Sequence, residues 1–111
     1  MRTLLKVSIP IAEGNAAVAD GTLGSTLSSI LNDLKPEAAY FAEENGARTA
    51  FLVLNLADSS QIPGVAEPFF LAFNARVEFH PAMNLEDLKN AMPGIESAVR
   101  KYARGSRAAS A

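Results

Sequence analysis

Hydrophobic and polar positions change their period several times along this chain, and each change marks an element. In residues 48 to 57, RTAFLVLNLA, apolar and β-favouring residues fill nearly every position between turn formers at Asn45-Gly46 and Asp58-Ser59-Ser60. That stretch predicts a central strand buried on both faces, and it is too short for a membrane span. Residues 2 to 9 alternate imperfectly, with Thr3, Leu5, Val7 and Ile9 on one side and Arg2, Leu4, Lys6 and Ser8 on the other, until Pro10 stops them. They predict a strand with one dry and one mixed face. Residues 37 to 44, EAAYFAEE, lead through Asn45-Gly46 into the central strand as a β-hairpin. In residues 75 to 80, ARVEFH, Val77 and Phe79 oppose Arg76, Glu78 and His80, which predicts a fourth strand ended by Pro81.

Elsewhere the period is helical. Between residues 15 and 34, Leu23, Leu27, Ile30, Leu31 and Leu34 form one stripe, with Asn15 as the expected N-cap. Gly21 and Gly24 sit inside this helix or break it in two. They lack the four-residue spacing and the lysine of a phosphate-binding loop, so close approach to a neighbouring element is the expected use. Asp20 extends the stripe backwards and either points at the core edge or is a solvated or capping residue. After Asp58 and Ser59, Ile62, Val65, Ala66, Phe69, Phe70 and Phe73 repeat at helical spacing, which reads as core packing. Pro68 is expected to kink or divide that helix. Asn84 opens a last helical region, with Leu85, Leu88 and Met92 on one edge. Pro93-Gly94 is expected to interrupt it before Ile95, Val99 and Tyr102 continue the pattern. Residues 105 to 111, GSRAASA, are expected to be a disordered tail beyond a single domain of residues 1 to 104.

Composition narrows the function classes. At 111 residues and 49% hydrophobic content, the chain suffices for one core but not two. A net charge of −2 gives no electrostatic reason to expect nucleic acid or an anionic membrane as partner. With no cysteine, disulfides and thiolate chemistry are excluded, and one histidine excludes a multi-histidine metal site within one chain. No cofactor is expected. The N-terminus lacks a signal-peptide pattern, so a cytoplasmic location is the default expectation.

The order strand, helix, strand, strand, helix, strand, with a C-terminal helical extension, predicts an α+β fold of the ferredoxin-like βαββαβ plan. Its four-stranded antiparallel sheet would have the order 4-1-3-2. Helices would cover the face bearing Leu5, Val7, Leu52, Leu54, Leu56, Val77 and Phe79. The other face would carry Leu4, Lys6, Ser8, Tyr40, Phe51, Val53, Asn55, Glu78 and His80, too apolar to stay in water and too polar for a dry core. This element order and face chemistry, with the passage Glu78-Phe79-His80-Pro81-Ala82-Met83-Asn84-Leu85-Glu86-Asp87-Leu88, resembles the dimeric α/β-barrel superfamily. That superfamily includes muconolactone isomerases, antibiotic-biosynthesis monooxygenases and a group of uncharacterised bacterial proteins, the last being the nearest in kind. The resemblance implies a homodimer that pairs through its sheets. The Asn, Trp and His set of the haem-degrading branch has no counterpart here, because the chain has no tryptophan.

Sheet pairing would turn the mixed face into a cavity for a small, mostly apolar molecule. His80 with Glu78 two positions earlier suggests an imidazole and carboxylate able to move a proton near neutral pH. Alternatively, Lys6 neutralises Glu78 across the strands and His80 merely ends its strand. Lys6, Ser8, Tyr40, Phe51 and Asn55 are the candidate ligand contacts, and Arg76 is the expected rim charge. Three functions are then open: a cofactor-free isomerase or monooxygenase, a small-molecule binding protein without turnover, and a structural or partner-binding homodimer.

Overall fold

The computed structural model describes residues 1–104, and the expected tail of residues 105 to 111 lies outside them. Four strands, β1 (Arg2–Ile9), β2 (Ala38–Glu44), β3 (Ala47–Asn55) and β4 (Arg76–Pro81), form one antiparallel sheet in the order β2-β3-β1-β4, which is 4-1-3-2 read from the opposite edge. With helices α1 (Ile11–Ala19), α2 (Leu23–Leu34), α3 (Ile62–Phe73) and α4 (Leu85–Tyr102), the architecture is α+β. No helix among the described residues is long and apolar enough to cross a membrane.

Strand parity decides where the core sits. Leu5, Val7 and Ile9 of β1 and Ala50, Leu52 and Leu54 of β3 are buried beneath α1, α2 and α3. Leu5 pairs with Leu52 on one side and Phe79 on the other, and Val7 pairs with Ala50 and Val77, so the dry face is continuous across three strands. Val65, Phe69 and Phe73 of α3 and Ile30 of α2 close it from above. Phe70 does not join them: it is 43% exposed, as is much of Ile62, because their helical positions turn away from the sheet.

The helix expected over residues 15 to 34 differs in two ways. It starts at Ile11, immediately after Pro10, whose fixed φ of −56° suits the entry. It then breaks at Gly21, which adopts φ +80°, a conformation open to glycine at little cost. Asn15 is therefore interior to α1 rather than a cap, and its Oδ1 accepts from Arg48 Nη1 at 3.1 Å. Asp20 is exposed, which fits the solvated alternative, and its Oδ1 accepts from Thr22 N at 3.0 Å in the turn between α1 and α2. Neither Gly21 nor Gly24 has anything within 4 Å of where a Cβ would sit, so the expected close approach is not theirs. Gly14 has that role instead, with Arg48 Nη1 2.7 Å from an added Cβ.

Both interior prolines fail to divide their helices. In α3, Pro68 forgoes the bond to the Gly64 carbonyl, at a cost of roughly 3 kcal/mol. The burial of Val65, Ala66, Phe69 and Phe73 along the same helix offsets it, each large side chain contributing about 1.5–3 kcal/mol. In α4, Pro93 and Gly94 lie within one continuous helix of 18 residues, opened by a reciprocal capping box between Asn84 and Asp87. Here no residue is buried. Its apolar side chains stay in solvent, from Leu88 at 40% exposed to Tyr102 at 73%. The molecule measures 68 × 30 × 21 Å, an elongation that accords with a helix of about 27 Å standing clear of the body. Two helices end on left-handed residues that carry side chains, Lys35 (φ 50°) after α2 and Asn74 (φ 53°) after α3.

Candidate functional site

The face of the sheet opposite the helices is uncovered, and the strand register sorts it into rows. One row runs Ala38, Val53, Leu4, His80; the next Tyr40, Phe51, Lys6, Glu78; the third Ala42, Thr49, Ser8, Arg76. Apolar side chains therefore occupy the β2–β3 side and charged ones the β1–β4 side. Every candidate assigned to this face by sequence lies on it. Tyr40 is 70% exposed and Leu4 36%, whereas Phe51 and Val53 are half-buried among their neighbours.

Lys6 is the hub of the polar half. Its Nζ lies 3.0 Å from Glu44 Oε1 and 3.2 Å from Glu78 Oε2, joining β2 to β4 across the two central strands. The Glu44 hydrogen bond, then the one to Glu78, raises the Lys6 ammonium above the usual lysine pKa despite some desolvation. Glu78 is thus committed to Lys6. His80 Nε2 stands 3.9 Å from Glu78 Oε1, beyond hydrogen-bonding distance, and its side chain is 54% exposed. The expected cross-strand ion pair is present, and the expected imidazole–carboxylate pair is close without being bonded.

Sequence reasoning missed Glu44. The parity that puts Tyr40 on the open face puts Ala42 and Glu44 there too, but the residue was absorbed into the turn that follows it. Its second oxygen, Oε2, is buried with no hydrogen-bond partner, an acceptor left without a donor. Glu44 borders a groove of about 600 Å³ that Lys6, Ser8, Asn74, Arg76 and Glu78 also line. Of the sequence-derived candidates, then, Lys6, Ser8 and Glu78 come together in a groove, and Arg76 joins them. His80, Tyr40 and Phe51 share the sheet face but do not line that groove. Asn55 is occupied elsewhere: its Oδ1 accepts from the Met1 ammonium at 3.0 Å.

A second groove of about 640 Å³ lies on the helix side of the sheet, between α1, α2 and the β2–β3 hairpin. Ile11, Leu23, Leu27 and Phe41 make it mostly apolar, and Phe41 is 56% exposed at its edge. No grouping of three or more histidine or acidic side chains suited to a metal ion occurs among the described residues. No protein-family model matches the chain, and no curated protein matches it in sequence.

Proposed function

We propose that this protein acts as a homodimer whose sheets close open face to open face around a small, mostly apolar molecule carrying at least one N–H or O–H donor. The observation that carries this reading is the uncovered sheet face itself, where Leu4, Tyr40, Phe51 and Val53 adjoin the Lys6, Glu44 and Glu78 cluster. An apolar patch rimmed by charge on an otherwise well-packed domain is a contact surface. The resemblance to the ferredoxin-like dimeric α/β barrels supports the same pairing. The apolar β2–β3 side would hold the body of the ligand, and Glu44, turning its buried Oε2 toward the groove, would accept its donor.

Binding without turnover is the reading favoured first, because Lys6 already neutralises both carboxylates that face the groove. A cofactor-free isomerase or monooxygenase is the second. It is favoured by the exposed imidazole of His80, 3.9 Å from Glu78, a spacing that a small side-chain rotation closes. Native mass spectrometry and sedimentation test the proposal together. The expected result is a species of at least two chains carrying a non-covalent small-molecule adduct, with both the mass and the adduct reduced by Phe51→Glu. A monomer persisting at several hundred micromolar overturns it. With a ligand in hand, His80→Ala that binds but no longer converts it selects the catalytic reading.

A further inference from the structure

Helix α4 carries an apolar edge that none of the described residues buries, and the spacing of that edge is regular along its whole length. Leu85, Leu88, Met92, Ile95, Val99 and Tyr102 are spaced three, four, three, four and three, the alternation of a and d positions over two and a half heptads. A helix packed on a globular core needs a broader stripe; this narrow one is the seam of a two-helix coil. Pro93 and Gly94 both fall on the outer b and c positions, so neither interrupts the seam.

Energetics require a partner for it. An isolated helix of about this length is marginal in water, and an interior proline and glycine cost roughly 3 and 1 kcal/mol more. In α3 the comparable cost of Pro68 is offset by core burial, but no residue of α4 is buried among the described residues. Its stability must come from something that covers Leu88, Met92, Ile95 and Val99.

We infer that α4 pairs antiparallel with α4 of a second copy of this chain. The seam is self-complementary under that reversal: Leu85 falls opposite Tyr102, Leu88 opposite Val99, and Met92 opposite Ile95, with an apolar residue in every layer. The flanking positions agree. Lys89 and Glu96 occupy successive e positions, and reversal brings Lys89 of one copy beside Glu96 of the other, twice per pair. The remaining flank, Ala91 and Ala98, is small enough for close approach. The ends agree in charge as well, since the acidic first turn of one copy, with Glu86 and Asp87, lies alongside the basic last turn of the other, with Arg100 and Lys101, although these outer b and c positions do not touch across the seam. A parallel pair would set Lys89 and Glu96 against alanines or asparagine and place like-charged ends together. This contact is separate from the sheet face and does not rest on it.

The absence of cysteine from the chain makes disulfide trapping a clean test. Leu88→Cys and Val99→Cys chains, each exposed at those positions, are mixed and oxidised gently. The expected product is the mixed Leu88→Cys to Val99→Cys dimer, with little of either symmetric dimer. Predominant symmetric dimers, or no cross-link at all, overturn the inference. Charge reversal gives a second, independent readout. Lys89→Glu should lower the mixed yield at limiting concentration roughly tenfold, and Lys89→Glu with Glu96→Lys should restore it. The two residues are seven apart, too far to pair within one helix, so restoration comes only from the partner. No restoration would overturn the assigned orientation. Repeating the trap in a Phe51→Glu background separates this contact from sheet pairing, and the mixed cross-link should persist there.

Discussion

Lys6 holds Glu44 at 3.0 Å although β3 runs between their strands. In the register, Lys6 is opposite Phe51 and Glu44 opposite Ala47, so the contact is diagonal, and the β2–β3 hairpin has to curl over the open face for it to form. That curl makes the wall of the polar groove.

Replacing the cation tests its role. The Lys6 ammonium titrates above its ordinary 10.5 because Glu44 and then Glu78 bond to it. A folded-state value raised in this way adds stability in full below the unfolded value, and the contribution disappears as pH climbs through the folded one. The difference in urea midpoint between the wild type and Lys6→Met should therefore be largest near about pH 8 and shrink above about pH 11. A difference that is the same across that range would mean that Lys6 stabilises by packing its stem rather than by its charge.

Phe69 is fully buried at the centre of the core. Phe69→Ala should lower the unfolding free energy by about 3–5 kcal/mol, read from denaturant curves. Phe70→Ala, on the adjacent but 43% exposed position, should cost much less. Equal losses would mean that Phe70 is covered by a partner in solution.

Gly14 and Arg48 form a coupled pair. Alanine at Gly14 gains roughly 1 kcal/mol of helix propensity, but its Cβ would meet Arg48 Nη1 at 2.7 Å and Ile9 Cγ2 at 3.3 Å. The guanidinium is a flexible end that can move, at the expense of its 3.1 Å bond to Asn15. Gly14→Ala alone should be close to neutral in thermal melts, and the same change in an Arg48→Ala background should stabilise. A double-mutant cycle with no coupling would contradict the contact.

The Asn84–Asp87 box opens a helix that shares no core with the body. Asn84→Ala should weaken α4 by about 1 kcal/mol, visible as faster amide exchange in its first turn. The melting temperature of the sheet and of α1 to α3 should change little, because their cooperative unit does not include α4. A drop in the global transition comparable to that of Phe69→Ala would show that the helix is packed against the sheet and α1 to α3 in solution.

Much of the fold was legible because the core is apolar and strand parity holds even where the alternation is imperfect, although β3 is buried on one face and not on the two expected, with Phe51 and Val53 half-buried on the open side. The parity of Leu5, Val7, Leu52 and Leu54 correctly separated the helix face from the open one, and Asn45-Gly46 placed the hairpin, with both residues at positive φ. The errors came where local rules compete. Ile11–Ala19 is mostly small residues, so it lacks the large apolar stripe by which α2 is recognised, and the N-cap is Pro10 rather than the expected Asn15. Pro68 and Pro93 carry real local costs, yet burial along α3 outweighs the first, and the α4 helix runs on through the second. Glu44 was missed because a turn-adjacent acid reads as solvent-facing unless its parity is followed through. Its contact with Lys6 depends on hairpin curvature, which no single strand's pattern encodes.

The separation of α4 from the folded body has an evolutionary consequence. If α4 pairs with a second copy as inferred, substitutions along Leu85–Tyr102 would alter assembly while leaving the sheet and its grooves intact, whereas substitutions in Leu5, Leu52 or Phe69 would act on the buried core. Quaternary arrangement and domain integrity can thus drift under independent selection, and descendants of this chain can diverge in assembly long before they diverge in shape.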